Sequence, residues 1–113
     1  MIQEFEITQA YTRLSGALVS LDEATEEAIK ARATVSALVA EAIFDGRIDG
    51  KNEAAREAQA RRLFVAEYAR LDETESWVRQ IRHYVELGRL EVESLRARLR
   101  LAEVLATAQA AAR

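Results

Sequence analysis

The sequence predicts an all-α fold, a long antiparallel helical hairpin, and three observations predict it. The 113 residues contain no proline and only four glycines. Proline breaks helix interiors, so its absence favours long uninterrupted helices. About a fifth of the residues are alanine, the best helix former, and Leu, Glu and Arg make up much of the rest. Apolar residues also recur at 3–4 spacing on both sides of a single clear turn signal. β-branched and aromatic residues are too few and too scattered to suggest strands. A chain that is 50% hydrophobic and 31% charged suits amphipathic helices and does not suit disorder. Its length fits one domain, residues 1–113.

The first predicted helix covers about residues 3–44. Its best stripe reads Ile7, Tyr11, Leu14, Leu18, Leu21, Thr25, Ala28, Arg32, Val35, Val39 and Ala42. Thr25 and Arg32 are the members that do not suit a buried seam, and Ala24 and Ala31 beside them allow the seam to drift there. The turn signal is Asp45-Gly46-Arg47-Ile48-Asp49-Gly50-Lys51-Asn52. Gly46 suits the left-handed position just past a helix end. Asn52 suits an N-cap, with Glu53 favourably placed in the first turn and Asp49 a competing cap.

A shorter helix is expected over about 53–70, a kink or break near 72, and a last helix over about 73–110. Val78, Ile81, Val85, Gly88, Val92, Leu95, Leu99, Ala102 and Ala106 hold strict 3–4 spacing with no charged residue among them. Traced backwards, the phase passes Thr74 and Leu71 and meets Glu67. Asp72-Glu73-Thr74-Glu75 has the form of a capping box, which places the break there. A single continuous helix is the rival reading. Trp77, Tyr84, Leu87, Leu90, Leu101 and Leu105 widen the last stripe beyond two positions per heptad. Wide stripes need a second contact surface, so the sequence predicts a homo-oligomer, a dimer or larger, closing a coiled-coil-like bundle. The residues expected to mediate self-association are Trp77, Val78, Ile81, Tyr84, Val85, Val92, Leu95 and Leu99.

No pattern in the chain completes a catalytic or metal-binding constellation, so no catalytic residue, metal or cofactor is expected. No cysteine is present, which excludes disulfides and thiolate metal sites. Read as a calcium loop from Asp45, the turn would place Arg47 and Arg56 at ligand positions, so a capped interhelical turn is the better reading. His83 is the only histidine and stands among Arg79, Arg82 and Glu86, as a solvated residue would. Glu23, Glu26, Glu27, Glu41 and Asp45 loosely resemble the carboxylate clusters of the MazG-type nucleotide pyrophosphatases, which would imply magnesium on a triphosphate. Here, however, the second cluster is Glu41-x-x-x-Asp45 rather than Glu-x-x-Asp, and one residue of slip turns a helical ligand by about 100°.

The net charge of −3 lacks the basic excess of a dedicated duplex-DNA binder. The charge is uneven. Residues 1–45 hold eight acids and three bases, a net of −5, whereas residues 46–113 hold eleven acids and thirteen bases, a net of +2. Arg79, Arg82, Arg89, Arg96 and Arg100, with Arg98 beside them, recur near one face of the last helix. They suit a partner protein or nucleic acid, although Glu86 and Glu93 interleave with them as in a solvated face. A third reading pairs the strip with the acidic first helix. The first residues, Met1-Ile2-Gln3-Glu4-Phe5-Glu6, are acidic where a secretory signal would be basic. No apolar run approaches the roughly 20 residues that span a bilayer. The expectation is a cytoplasmic protein with no membrane contact.

Three stretches, Ala42-Ile43-Phe44-Asp45-Gly46, Asp49-Gly50-Lys51-Asn52-Glu53-Ala54-Ala55-Arg56 and Gly88-Arg89-Leu90, give residues 31–112 a pattern that resembles small uncharacterised helical proteins of bacteriophages and prophages. The resemblance implies an accessory protein of phage type, associated with recombination or replication, and carries no catalytic residues. The leading expectation is therefore a non-enzymatic interaction or adaptor protein. A single-stranded-DNA-binding accessory protein is second, and a magnesium-dependent pyrophosphatase third.

Overall fold

The computed structural model describes residues 4–112 and is all-α. Helix α1 spans Glu4–Phe44, α2 spans Glu53–Leu63 and α3 spans Val65–Ala112. These form the helical hairpin expected from the sequence. The expected start of the first helix at residue 3 lies outside the described residues. No helix among the described residues is long and apolar enough to cross a membrane. The single expected domain is organised as two compact units: Asp22–Gln80, and Met1–Leu21 together with Ile81–Arg113.

In the Asp22–Gln80 unit, Ala31, Val35 and Ala42 of α1, Ile48 of the loop, Ala60 of α2, and Phe64, Tyr68 and Leu71 form one core. Leu71 is among the largest fully buried side chains, at 1% exposure. Burying such a side chain contributes about 1.5–3 kcal/mol. Helix α1 ends where the backbone turns left-handed at Gly46 (φ +83°), a conformation that a side chain disfavours. The Ile48 amide then donates back to the Ala42 carbonyl (3.1 Å), which holds Ile48 in the core.

Asn52 caps α2 by accepting from the Ala55 amide (2.8 Å), as expected. Asp49, the rival cap, instead accepts from Gln59 Nε2 (2.7 Å). Gln59 Oε1 accepts from the Asp49 and Gly50 amides (3.1 and 2.8 Å), and Arg56 Nε donates to the Gly50 carbonyl (2.9 Å). The loop is thus tied to the helix that follows it. A Cβ on Gly50 would lie 2.8 Å from the Arg56 backbone nitrogen, so only glycine lets the two come this close. Asp45 and Arg47 pair across the turn (2.9 Å); the hydrogen bond from Arg47 holds the Asp45 carboxyl below its ordinary range and raises the Arg47 guanidinium above its own.

The break in the second arm lies at Phe64, not near residue 72. Phe64 leaves helical geometry (φ −119°, ψ 53°), yet its amide still donates to the Ala60 carbonyl (2.9 Å) and its carbonyl accepts from the Tyr68 amide (3.0 Å). Phe64 keeps both of its own backbone hydrogen bonds as the chain re-phases, and Phe64 and Tyr68 are buried together. The Arg47 and Arg61 guanidinium groups lie over the Phe64 and Tyr68 rings, at 5.9 and 4.6 Å. The predicted capping box is absent because its groups are engaged elsewhere. Asp72 pairs with Arg61 (3.3 Å), Glu75 with Arg32 (3.0 Å), and buried Thr74 donates to the Leu71 carbonyl (2.9 Å).

In the second unit, Ala10 packs with Val92 and Leu95, flanked by Ile7 and Leu14. Gly88 meets Leu14, whose Cδ1 would lie 3.3 Å from an added Cβ. Arg13 pairs with Glu91 across the helices.

The buried face of α1 differs from the predicted one. Ala10, Ala24 and Ala31 are buried, whereas Tyr11 and Arg32 are exposed and Thr25 is half-buried. Ala17 is half-buried and Leu18 exposed. Ile7, Leu14, Leu21, Ala28, Val35, Val39 and Ala42 keep their predicted place, the seam drifts to Ala24 and Ala31 as the sequence allowed, and Ala10 and Ala17 replace Tyr11 and Leu18. Alanine at these positions lets the opposing backbone approach closely.

Candidate interaction surface

Helix α3 presents two apolar stripes. The first, Leu71, Thr74, Val78, Ile81, Val85, Gly88, Val92, Leu95 and Leu99, faces inward; Gly88 and Leu99 are half-buried and the others buried. Burial stops there. Every residue from Arg100 to Ala112 is exposed, including Ala102 and Ala106, which the sequence placed in the seam.

The second stripe is Leu87, Leu90, Ser94, Ala97, Leu101, Val104, Ala108 and Ala111, all exposed. It also keeps strict 3–4 spacing and contains no charged residue. Each member lies two residues beyond a first-stripe position or its continuation. Two residues turn a helix by about 200°, so the second stripe occupies the opposite side of α3. Leu101 and Val104 are each 59% exposed, too much apolar surface to be incidental on adjacent turns of one helix. One edge of the stripe carries Glu86, Glu93 and Arg100; the other carries Tyr84, Glu91, Arg98 and Leu105. Glu91 is the member of these edges engaged by Arg13.

The residues expected to self-associate therefore divide. Val78, Ile81, Val85, Val92 and Leu95 are buried within the single chain, and Leu99 is half-buried. Trp77 (39%) and Tyr84 (62%) remain exposed. The second stripe is exposed along its whole length. The sequence registered Leu87, Leu90, Leu101 and Leu105 only as a widening of the first. Testing the helix for a second heptad phase would have separated them and added Val104, Ala108 and Ala111.

Arg79, Arg82, Arg89, Arg96 and Arg100 are all exposed, and none is in an ion pair among the described residues. Arg82, Arg89 and Arg96 share one line along the helix, while Arg79 and Arg100 share another with Glu86 and Glu93. Among the described residues, the strip forms no ion pair with the acidic first helix. The ion pairs between α1 and α3 use Arg13, Arg32 and Arg70 instead, with Glu91, Glu75 and Glu27.

The acidic residues that suggested a pyrophosphatase are not assembled. Glu27 is held by Lys30 and Arg70, and Asp45 by Arg47. Among the described residues, no three His, Asp or Glu side chains are grouped so as to hold a metal ion. No protein-family model matches the chain, and no curated protein or solved structure matches it.

Proposed function

We propose that this chain is a non-enzymatic helical interaction module, an adaptor of phage or prophage accessory type, which acts through protein–protein contacts and self-associates. The observation that carries the reading is the exposed second stripe of α3, an uncharged apolar face on the side of the helix away from its buried seam. Association through such a face is driven by apolar burial and resists salt. The solution mass should therefore exceed that of one chain at both low and high salt, and a short single-stranded DNA should leave it unchanged. A strictly monomeric species throughout would defeat the proposal.

A second reading rests on Arg82, Arg89 and Arg96, aligned on one line and free of ion pairs among the described residues. It makes the chain an accessory single-stranded-DNA binder. DNA binding that weakens steeply with salt, and is lost when these three become Ala, would favour it over the adaptor reading.

A further inference from the structure

We infer that the occupant of the second stripe is the same helix of a second copy, running antiparallel, in a register where Leu90 faces Leu101 and Ser94 faces Ala97. This rests on the interaction reading above and goes further by naming the surface, the partner and the alignment. In an antiparallel helix pair with 3–4 spacing, each member of one alternating set faces a member of the other set, and residues flanking the stripe meet their own counterparts edge to edge. Registers therefore differ by whole heptads, and the flanking charges choose among them.

In the proposed register Leu87 faces Val104, Leu90 faces Leu101 and Ser94 faces Ala97, each contact occurring twice by symmetry. On one edge Glu93 meets Arg100 of the second copy, and Arg100 meets its Glu93. On the other edge Arg98 comes beside Glu91, and Tyr84 comes beside Leu105. Glu93, Arg98, Arg100, Tyr84 and Leu105 are all exposed in the single chain. Sliding one heptad toward the C-terminal end would place Arg100 on Arg100 and Arg98 on Arg98. Sliding one heptad the other way would place Glu93 on Glu93 and Glu91 on Glu91. A parallel pairing would set Glu86 against Glu91 as well as Glu93 against Arg98, and the slide toward the N-terminal end would add Glu86 on Arg100 to its like pairs. Like charges at such flanking positions oppose association, so the register that has opposite charges on both edges and no like pair is selected.

Charge reversal tests this directly. A Glu93→Arg chain carries Arg at both 93 and 100, and an Arg100→Glu chain carries Glu at both. Each alone should self-associate more weakly than the original chain by on the order of tenfold, because two flanking attractions become repulsions. Mixed together, the two should form a heterodimer of near-original affinity, read by sedimentation. Circular dichroism of each variant should match the original, since residues 93 and 100 lie outside the buried seam. A second measurement uses the absence of cysteine. A Leu90→Cys chain mixed with a Leu101→Cys chain should cross-link 90 to 101 through a short thiol-reactive linker in preference to either self-link. A dimeric chain indifferent to both reversals, with 90 linking to 90, would overturn this interface and leave the interaction reading standing. A chain that stays monomeric at the highest concentration reached would overturn both.

Discussion

Gly50 is a residue whose identity is set by a backbone contact. A Cβ there would lie 2.8 Å from the Arg56 nitrogen and 2.9 Å from the carbonyl carbon of Ala55, neither of which can move without disturbing the first turn of α2. Gly50→Ala should therefore destabilise the chain by about 1–3 kcal/mol, the usual cost of forcing an atom into a packed site. A urea melt that left the midpoint unchanged would show that the loop is free to shift. The sequence marked this segment as a turn and found the Asn52 cap, because both signals are local. It did not show that Gln59 would serve two loop amides, since a side chain reaching back ten residues leaves no periodic trace.

At the scale of the elements, the periodicity of α3 was legible because its seam is Val, Ile and Leu, which have a clear preference for burial. That of α1 was half legible. Alanine suits a buried seam and an exposed face equally, so Ala10 and Ala17 gave no reason to prefer them over larger neighbours, and Ala24 and Ala31 stood out only because Thr25 and Arg32 beside them do not suit burial. The resulting choice of Tyr11 and Leu18 was off by one residue, whereas the drift to Ala24 and Ala31 is observed. A pair of substitutions at one site separates the two phases. Ala31→Leu should cost about 1–3 kcal/mol, because the larger side chain must enter a filled seam. Arg32→Leu removes one exposed pair with Glu75 and should cost no more than about 1 kcal/mol. Thermal melts of both variants check this, and the reverse order would restore the predicted seam. The break at Phe64 was not legible for a related reason. It carries no Gly or Pro, and Phe64 itself keeps both of its backbone hydrogen bonds, so only the burial of Phe64 and Tyr68 reveals it.

For the molecule as a whole, the charge asymmetry between the two arms does not translate into a simple attraction of acidic for basic helix. Among the described residues, two of the three ion pairs between α1 and α3 take their arginine from the acidic arm, Arg13 and Arg32. Exposed pairs of this kind contribute little to stability, typically below about 1 kcal/mol each. They leave Arg79, Arg82, Arg89, Arg96, Arg98, Arg100 and Glu93 without an ion pair among the described residues. The exposed stripe was visible in the sequence as excess apolar residues, but its separateness became clear only once the first seam was seen to be buried within one chain.

The exposure of every residue from Arg100 to Ala112 has a further consequence. In a solitary chain this stretch is held by helix propagation alone, with no packed face, and an unsupported helix end opens readily. On the proposed pairing, the same residues lie against the partner's α3 and gain a packed face. Amide hydrogen exchange over this stretch should then slow as protein concentration rises, while exchange around Leu71 should stay unchanged. The end of α3 would thereby act as a gauge of abundance, firm where the protein is plentiful and loose where it is scarce.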